Sequence, residues 1–150
     1  MIKPMKIKLL LHKQLEETEI HICFSEYSEE IARLKETVEQ AVNVTIVGYL
    51  DDKVEMVTAD SIVRFYTQGK NVYAATEQKE YRLRQRLYEL EEMLDEQNFI
   101  RISNSEMVNV KKIIRLDTSL TGTIRIQLQG GIESYVSRRN VSKIKKALGI

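Results

Sequence analysis

From Val44 to Ser137 one pattern recurs: four to seven residues rich in Val, Ile, Tyr and Phe, then a short polar or glycine turn. Segments this short cannot build a helical core, and as strands each must pair with a neighbour. "VTIVGYL" (44–50), a turn at Asp51–Lys53 and "VEMVT" (54–58) read as one hairpin. "SIVRFYT" (61–67), the turn "QGKN" and "VYAAT" (72–76) read as a second. "KEYRLR" follows, and Leu87, Leu90 and Leu94 then recur at helical spacing. "FIRIS", "MVNV", "IIRLDTS", "TIRIQL" and "ESYVS" add further strands, with turns at Thr121–Gly122 and Gln129–Gly131. The expectation is a mainly β chain with α (an α+β fold) of short antiparallel strands, with a mid-chain helix and a C-terminal helix.

The first 42 residues read differently. Met5–His12 and Glu19–Phe24 have strand character. Ser28 suits a helix N-cap, Glu29 and Glu30 suit the first turn, and Ile31, Leu34, Val38 and Val42 make a helical stripe. The expected division is a small β-β-α segment over residues 1–42 and a strand-rich domain over 43–150. A 42-residue piece cannot stabilise itself, so it either packs on the rest or helps the chain to dimerise.

No apolar run in the 150 residues approaches the length of a membrane span, and the N-terminus lacks a small-residue cleavage site. The single Cys23 precludes an internal disulfide. These features point to a cytoplasmic protein. The net charge is only +1, yet it is unevenly spread. Residues 98–150 hold ten Lys and Arg against three Asp and Glu, a net +7 that leaves −6 for residues 1–97. A basic C-terminal third on an acidic body suggests a face for a polyanion.

Catalytic chemistry finds little to work with. His12 and His21 are the only histidines, and nothing completes a four-ligand zinc set with His21 and Cys23. No nucleophile elbow, phosphate loop or dinucleotide fingerprint occurs. Gly130–Gly131 opens no helix, and Asp51–Asp52 lacks the βα repeat of a phosphoacceptor domain. The chain is not expected to be an enzyme, to hold a cofactor or metal, or to bind a small-molecule substrate. A helix-turn-helix is also missing, because the two helices of the C-terminal half are separated by about forty residues of strand.

The C-terminus poses a puzzle. Ser137 reads as the N-cap of a helix carrying Val141, Ile144 and Leu148 on one stripe. Its first turn would hold Arg138 and Arg139, where the helix dipole disfavours cations by about 0.3–1 kcal/mol each.

"FIRISNSEMVNVKKIIRLDTS" followed by "TIRIQLQGGIESYVSRRNVSKIKKAL" resembles the DNA-binding domain of the LytTR family of bacterial transcription regulators, in a compact form without a receiver domain. The resemblance rests on Phe99, Arg101, Ser105, Val108, Asn109 and Ile113 in the first block, and on Gly130, Gly131, Tyr135, Ser137 and Arg138 in the second. It covers about residues 44–150 and departs at Ser103, where many members carry histidine. It implies an elongated LytTR-type β fold that reads DNA from loops and a helix start. The implied contact regions are Gln68, Lys70 and Asn71; Asn104 and Ser105; and Arg138 and Arg139. The outer two would reach successive major grooves, and the middle one would lie over the minor groove between them.

With that resemblance, Arg139 is favoured as a base reader, since an Arg paired to guanine discriminates by ~1–3 kcal/mol. Arg138 would pair with a phosphate or a nearby acid. Asn104, Lys70 and Asn71 fit either base contact or ordinary turn chemistry. Lys111, Lys112, Lys143, Lys145 and Lys146 fit either phosphate contacts or a solvated face. Asn109, between apolar strand neighbours, should bond backbone. The resulting expectation is a sequence-specific DNA-binding transcriptional regulator whose partner is double-stranded DNA, a homodimer through residues 1–42. The resemblance also admits a regulatory integral-membrane protein as a partner. The alternative is a protein–protein interaction module with secondary DNA contact.

Overall fold

The computed structural model describes residues 5–16, 18–119 and 121–150. Met1–Pro4, Glu17 and Leu120 lie outside the described residues. With them go the extreme N-terminus, one position between the two expected N-terminal strands, and the approach to the Thr121–Gly122 turn. The chain forms two compact units, Met1–Thr37 and Val38–Ile150.

In the first unit, neither Met5–His12 nor Glu19–Phe24 forms a strand among its described residues. The physical reason is the lack of a partner edge. Ile7, Leu9, Leu10 and Leu11 are all exposed, so no pairing or burial favours extended backbone there. Helix α1 (Glu29–Val42) does form, and runs past the division between the units. Ser28 caps it as expected, its Oγ accepting from the Ile31 amide at 3.3 Å.

The second unit carries two antiparallel sheets. Strands β1 (Thr45–Leu50), β2 (Lys53–Thr58), β3 (Arg64–Gln68), β4 (Asn71–Ala75), β5 (Glu80–Leu83), β6 (Phe99–Ser103) and β7 (Glu106–Asn109) make a seven-stranded sheet in the order β2-β1-β5-β4-β3-β7-β6. Strands β8 (Ile113–Asp117), β9 (Ile124–Leu128) and β10 (Ile132–Val136) make a three-stranded sheet, β10-β9-β8. Helix α2 (Leu87–Met93) lies between β5 and β6 in sequence, and α3 (Val141–Leu148) closes the chain. The mainly β architecture with a mid-chain and a C-terminal helix is the one the punctuation implied.

Side-chain alternation splits the core in two. On β6, Phe99 joins a cluster with Phe65, Leu87, Leu90 and Met107, while Ile100 and Ile102 join another with Ile124, Ile126, Leu128, Val136 and Ile144. On β7, Met107 and Val108 divide the same way. The larger sheet is thus buried on both faces at this end, by α2 on one side and by the small sheet with α3 on the other. Asn109, 1 % exposed, ties this end together. Its Nδ2 donates to the Ile62 carbonyl at 2.9 Å, and its Oδ1 accepts from the Lys111 amide at 3.1 Å, the backbone-bonding role expected of it.

The last helix starts later than the sequence suggests. Arg138–Asn140 form a 3-10 turn, and α-helix begins only at Val141. Ser137 makes no backbone cap; its Oγ instead accepts from Asn140 Nδ2 at 2.7 Å. The two arginines therefore precede the α-helix and do not occupy its first turn, which eases but does not remove the conflict with the dipole of α3. At the other end, Gly149 takes φ 70°, and the amides of Gly149 and Ile150 reach back to the carbonyls of Lys146 and Lys145, a Schellman stop.

Candidate nucleic-acid interface

Three short turns carry the residues singled out by sequence. The first joins β3 to β4. Gln68 pairs with Asn71, leaving Gly69 and Lys70 as a two-residue turn. Gly69 sits at φ 61°, which a side chain adopts only with strain, so glycine at the first central position allows the tight hairpin. Gln68, Lys70 and Asn71 are all exposed.

The second turn, Asn104–Ser105, joins β6 to β7. Ser103, the departure from the family pattern, has a local role: its Oγ accepts from the Ser105 amide at 3.2 Å. Asn104 is exposed and its amide makes no hydrogen bond among the described residues. The third turn is Arg138–Asn140, following β10, with both arginines exposed.

These turns are brought together by main-chain bonds. The Thr67 amide, at the end of β3, donates to the Ser105 carbonyl at 2.9 Å. The Ser137 amide, just before Arg138, donates to the Ile102 carbonyl near the end of β6 at 2.8 Å. All three turns therefore emerge at one end of the strands. The two arginines differ in setting. A Cβ at Gly122, on the β8–β9 turn, would fall 2.7 Å from Arg138 Nε, so the Arg138 side chain lies directly over that glycine. Arg139 has no such seat.

The other candidates lie elsewhere. Lys111 and Lys112 follow β7 in a 3-10 turn, at the opposite end of that strand from Asn104–Ser105, and the structure does not bring them to the three turns. Lys112 instead borders a groove with Met56, Ser61, Thr76 and Tyr81. Lys143, on α3, has its Nζ 3.8 Å from Glu91 Oε1 on α2. Glu91 also faces Arg101 at 3.7 Å. Lys145 and Lys146 are exposed.

Sequence reasoning missed a polar group behind these turns, made of Arg64, Glu106 and Ser134. Arg64 donates to Glu106 Oε1 at 3.0 Å, and Ser134 Oγ donates to Glu106 Oε2. One signal was available. Ser134 shares a strand face with Ile132 and Val136, and a hydroxyl in an inward position requires a partner.

Three turns exposed at one end of an antiparallel β unit, with the basic residues concentrated in its C-terminal half, are the geometry to set beside known proteins. The family is settled by comparison. Residues 52–149 match the LytTr DNA-binding domain, and the chain belongs to that family. The family is one of DNA-binding domains and not of enzymes. The chain is 34% identical over 147 residues to an uncharacterized HTH-type transcriptional regulator of Staphylococcus aureus strain MSSA476, covering 97% of this chain and 99% of that protein. Its counterpart in strain N315 gives the same identity and coverage. The fold is similar to the LytTr DNA-binding domain of a Bacillus cereus protein, with a TM-score of 0.68 and 24% identity, over 71% of this chain and 97% of that one. The relatives' names mention a helix-turn-helix; among the described residues here no two α-helices are joined by a short turn. No helix among them is long and apolar enough to cross a membrane.

Proposed function

We propose that this chain is a sequence-specific, cytoplasmic transcription regulator that reads double-stranded DNA through three turns. Gln68, Lys70 and Asn71 enter one major groove and Arg139 enters the next. Asn104 and Ser105 lie over the minor groove between them. The observation that carries this reading is the pair of main-chain bonds, Thr67 to Ser105 and Ser137 to Ile102, that hold all three turns at one end of the strands. Arg139 is exposed and unseated, free to meet a base edge; Arg138, held over Gly122, suits a phosphate. Among the lysines, Lys145 is better placed than Lys143 for phosphate, because Glu91 stands beside Lys143.

Selection of binding sites from random duplexes with purified protein would define the operator. Arg139→Ala should then reduce the preference for operator over scrambled DNA by roughly tenfold or more, the scale of one base contact, with a smaller fall in total affinity. An unchanged ratio in mobility-shift titrations would remove Arg139 as the base reader.

We also propose that residues 1–42 mediate homodimerisation. Support comes from the exposed Ile7, Leu9, Leu10 and Leu11 and from the amphipathic α1. Two linked half-site readers would gain greatly in effective concentration. Sedimentation of the full chain and of residues 43–150 tests this: the full chain should run as a dimer at micromolar concentration and the shorter chain as a monomer. Monomers in both cases, with loss of thermal stability on truncation, would assign the segment to packing instead. A regulatory integral-membrane protein fits the same exposed segment as a further partner.

A further inference from the structure

Behind the reading turns runs a line of polar side chains that the proposed DNA contacts do not use. Tyr66 on β3 stacks on Tyr73 of β4, with ring centroids 5.4 Å apart, and donates its hydroxyl to Glu80 Oε1 at 2.9 Å. The Arg64 guanidinium lies 4.5 Å from the centre of the Tyr66 ring and donates to Glu106 Oε1 at 3.0 Å. The second oxygen of Glu106 accepts from Ser134 Oγ on β10. The Arg64 and Glu106 side chains are only 22% and 12% exposed, and Ser134 is 6% exposed.

This is an unexpected place for a carboxylate. It is the residue next to Ser105, on a face that must approach phosphates. Well-packed apolar residues fill such a site at no desolvation cost, and replacing a buried ion pair by them is often neutral or stabilising. What apolar residues lack is direction. Glu106 makes one bond to each sheet: Arg64 belongs to the seven-stranded sheet and Ser134 to the three-stranded one. Both oxygens are used, so β10 cannot slide along β7 without breaking a bond in a poorly hydrated place. The positions matter as much as the chemistry. Glu106 directly follows the Asn104–Ser105 turn, and Ser134 stands shortly before Arg138 and Arg139 on the same strand and its exit.

We infer that Glu106 is a positioning residue: bridged between Arg64 and Ser134, it fixes the separation of the middle turn from the Arg138–Arg139 turn, and so sets the base-pair spacing that the protein accepts. This rests on the three-turn reading proposed above. Buried polar groups that hold register in this way are known devices of specificity, maintained at some expense of stability.

The test uses the full chain, the selected operator, and the same duplex with one base pair inserted between the segments facing Asn104 and Arg139. Wild type should bind the lengthened duplex roughly a hundredfold more weakly, as two displaced base contacts would give. In Glu106→Gln and in Ser134→Ala that penalty should shrink to roughly tenfold, through weaker binding to the native spacing and not to the lengthened one. Ser134→Thr, which keeps the hydroxyl, should restore the wild-type penalty. A role confined to stability predicts a different result, with both affinities falling in proportion and the penalty unchanged; that outcome overturns the inference. If Glu106→Gln loses cooperative thermal unfolding, Ser134→Ala, which leaves the ion pair intact, decides alone. A wild type that fails to separate operator from scrambled DNA would overturn the three-turn reading itself. A wild type that does separate them but accepts both spacings equally would overturn only the positioning role.

Discussion

Two stretches of this chain have nearly the same pattern and opposite fates. "MKIKLLLH", Met5–His12, places Ile7 and Leu9 two apart, each preceded by a lysine; "TIRIQL" places Ile124, Ile126 and Leu128 two apart between polar residues. Ile7 is 92% exposed and Leu9 96%, with no strand formed, whereas the three β9 residues are at most 2% exposed. The difference lies in their neighbours. β9 is the central strand of its sheet, hydrogen-bonded to β8 and β10, and its inner face meets Ile100, Ile102 and Ile144. Alternation specifies which face a strand would bury; at least one paired edge and a face to bury make the strand exist.

The most direct way to break this comparison is to remove one side chain from each stretch. Ile126→Ala should destabilise the fold by about 2–5 kcal/mol, from lost burial and the cavity left behind. Leu9→Ala should stay within about 0.5 kcal/mol, as exposed substitutions do. Denaturant unfolding of both variants measures it. Should Leu9→Ala prove costly only at high protein concentration, the exposed stretch is covered by a second copy, as the dimer proposal requires.

A smaller effect separates two glycines within the paired region. A Cβ at Gly48 would lie 2.8 Å from Tyr81 Cβ and Cγ, across the β1–β5 contact. Gly48→Ala should therefore cost about 1–3 kcal/mol, as overpacking does. Gly69 has nothing within 4 Å and is limited only by its φ of 61°, so Gly69→Ala should cost nearer ~1 kcal/mol. Equal melting temperatures for the two variants would mean that the β1–β5 contact yields easily.

The least disruptive probe is a titration. Burial first, and then the hydrogen bond to Glu80, push the Tyr66 phenol up to about 12. A raised phenol favours the protonated form in the folded chain. Its contribution to stability is complete below the ordinary tyrosine range near 10 and is lost as pH rises from there through about 12. Ultraviolet titration should show a phenolate step at about 12 that is absent in Tyr66→Phe. If the step persists in the variant, the Tyr66–Glu80 bond is not what holds the late proton.

What the sequence disclosed follows from the range of the forces involved. The β3–β4 hairpin was legible because Gly69 and the alternation on either side act within a few residues. Asn109 was legible because an amide among apolar strand neighbours requires local backbone partners. The Arg64–Glu106–Ser134 bridge was not, because its members stand 42 and 28 residues apart and come together only once two sheets have packed. The N-terminal strands failed for the complementary reason: the pattern was present and the partners were not. The helix start was misplaced because Ser137 is a good cap by type, while its hydroxyl is taken by Asn140. Lys111 and Lys112 counted toward a basic face until the antiparallel course of β7 put them at its far end.

The ties that align the three turns, Thr67 to Ser105 and Ser137 to Ile102, are made by amide and carbonyl groups that every residue other than proline supplies. These two ties are therefore indifferent to which side chains stand at the tips of the turns, whereas the Glu106 bridge behind them is not. Gln68, Lys70, Asn104 and Arg139 can each be exchanged over generations without disturbing the alignment of the rest. On the proposed three-turn reading, a lineage built on this scaffold could move from one operator to another by single steps at the tips, each intermediate still folded.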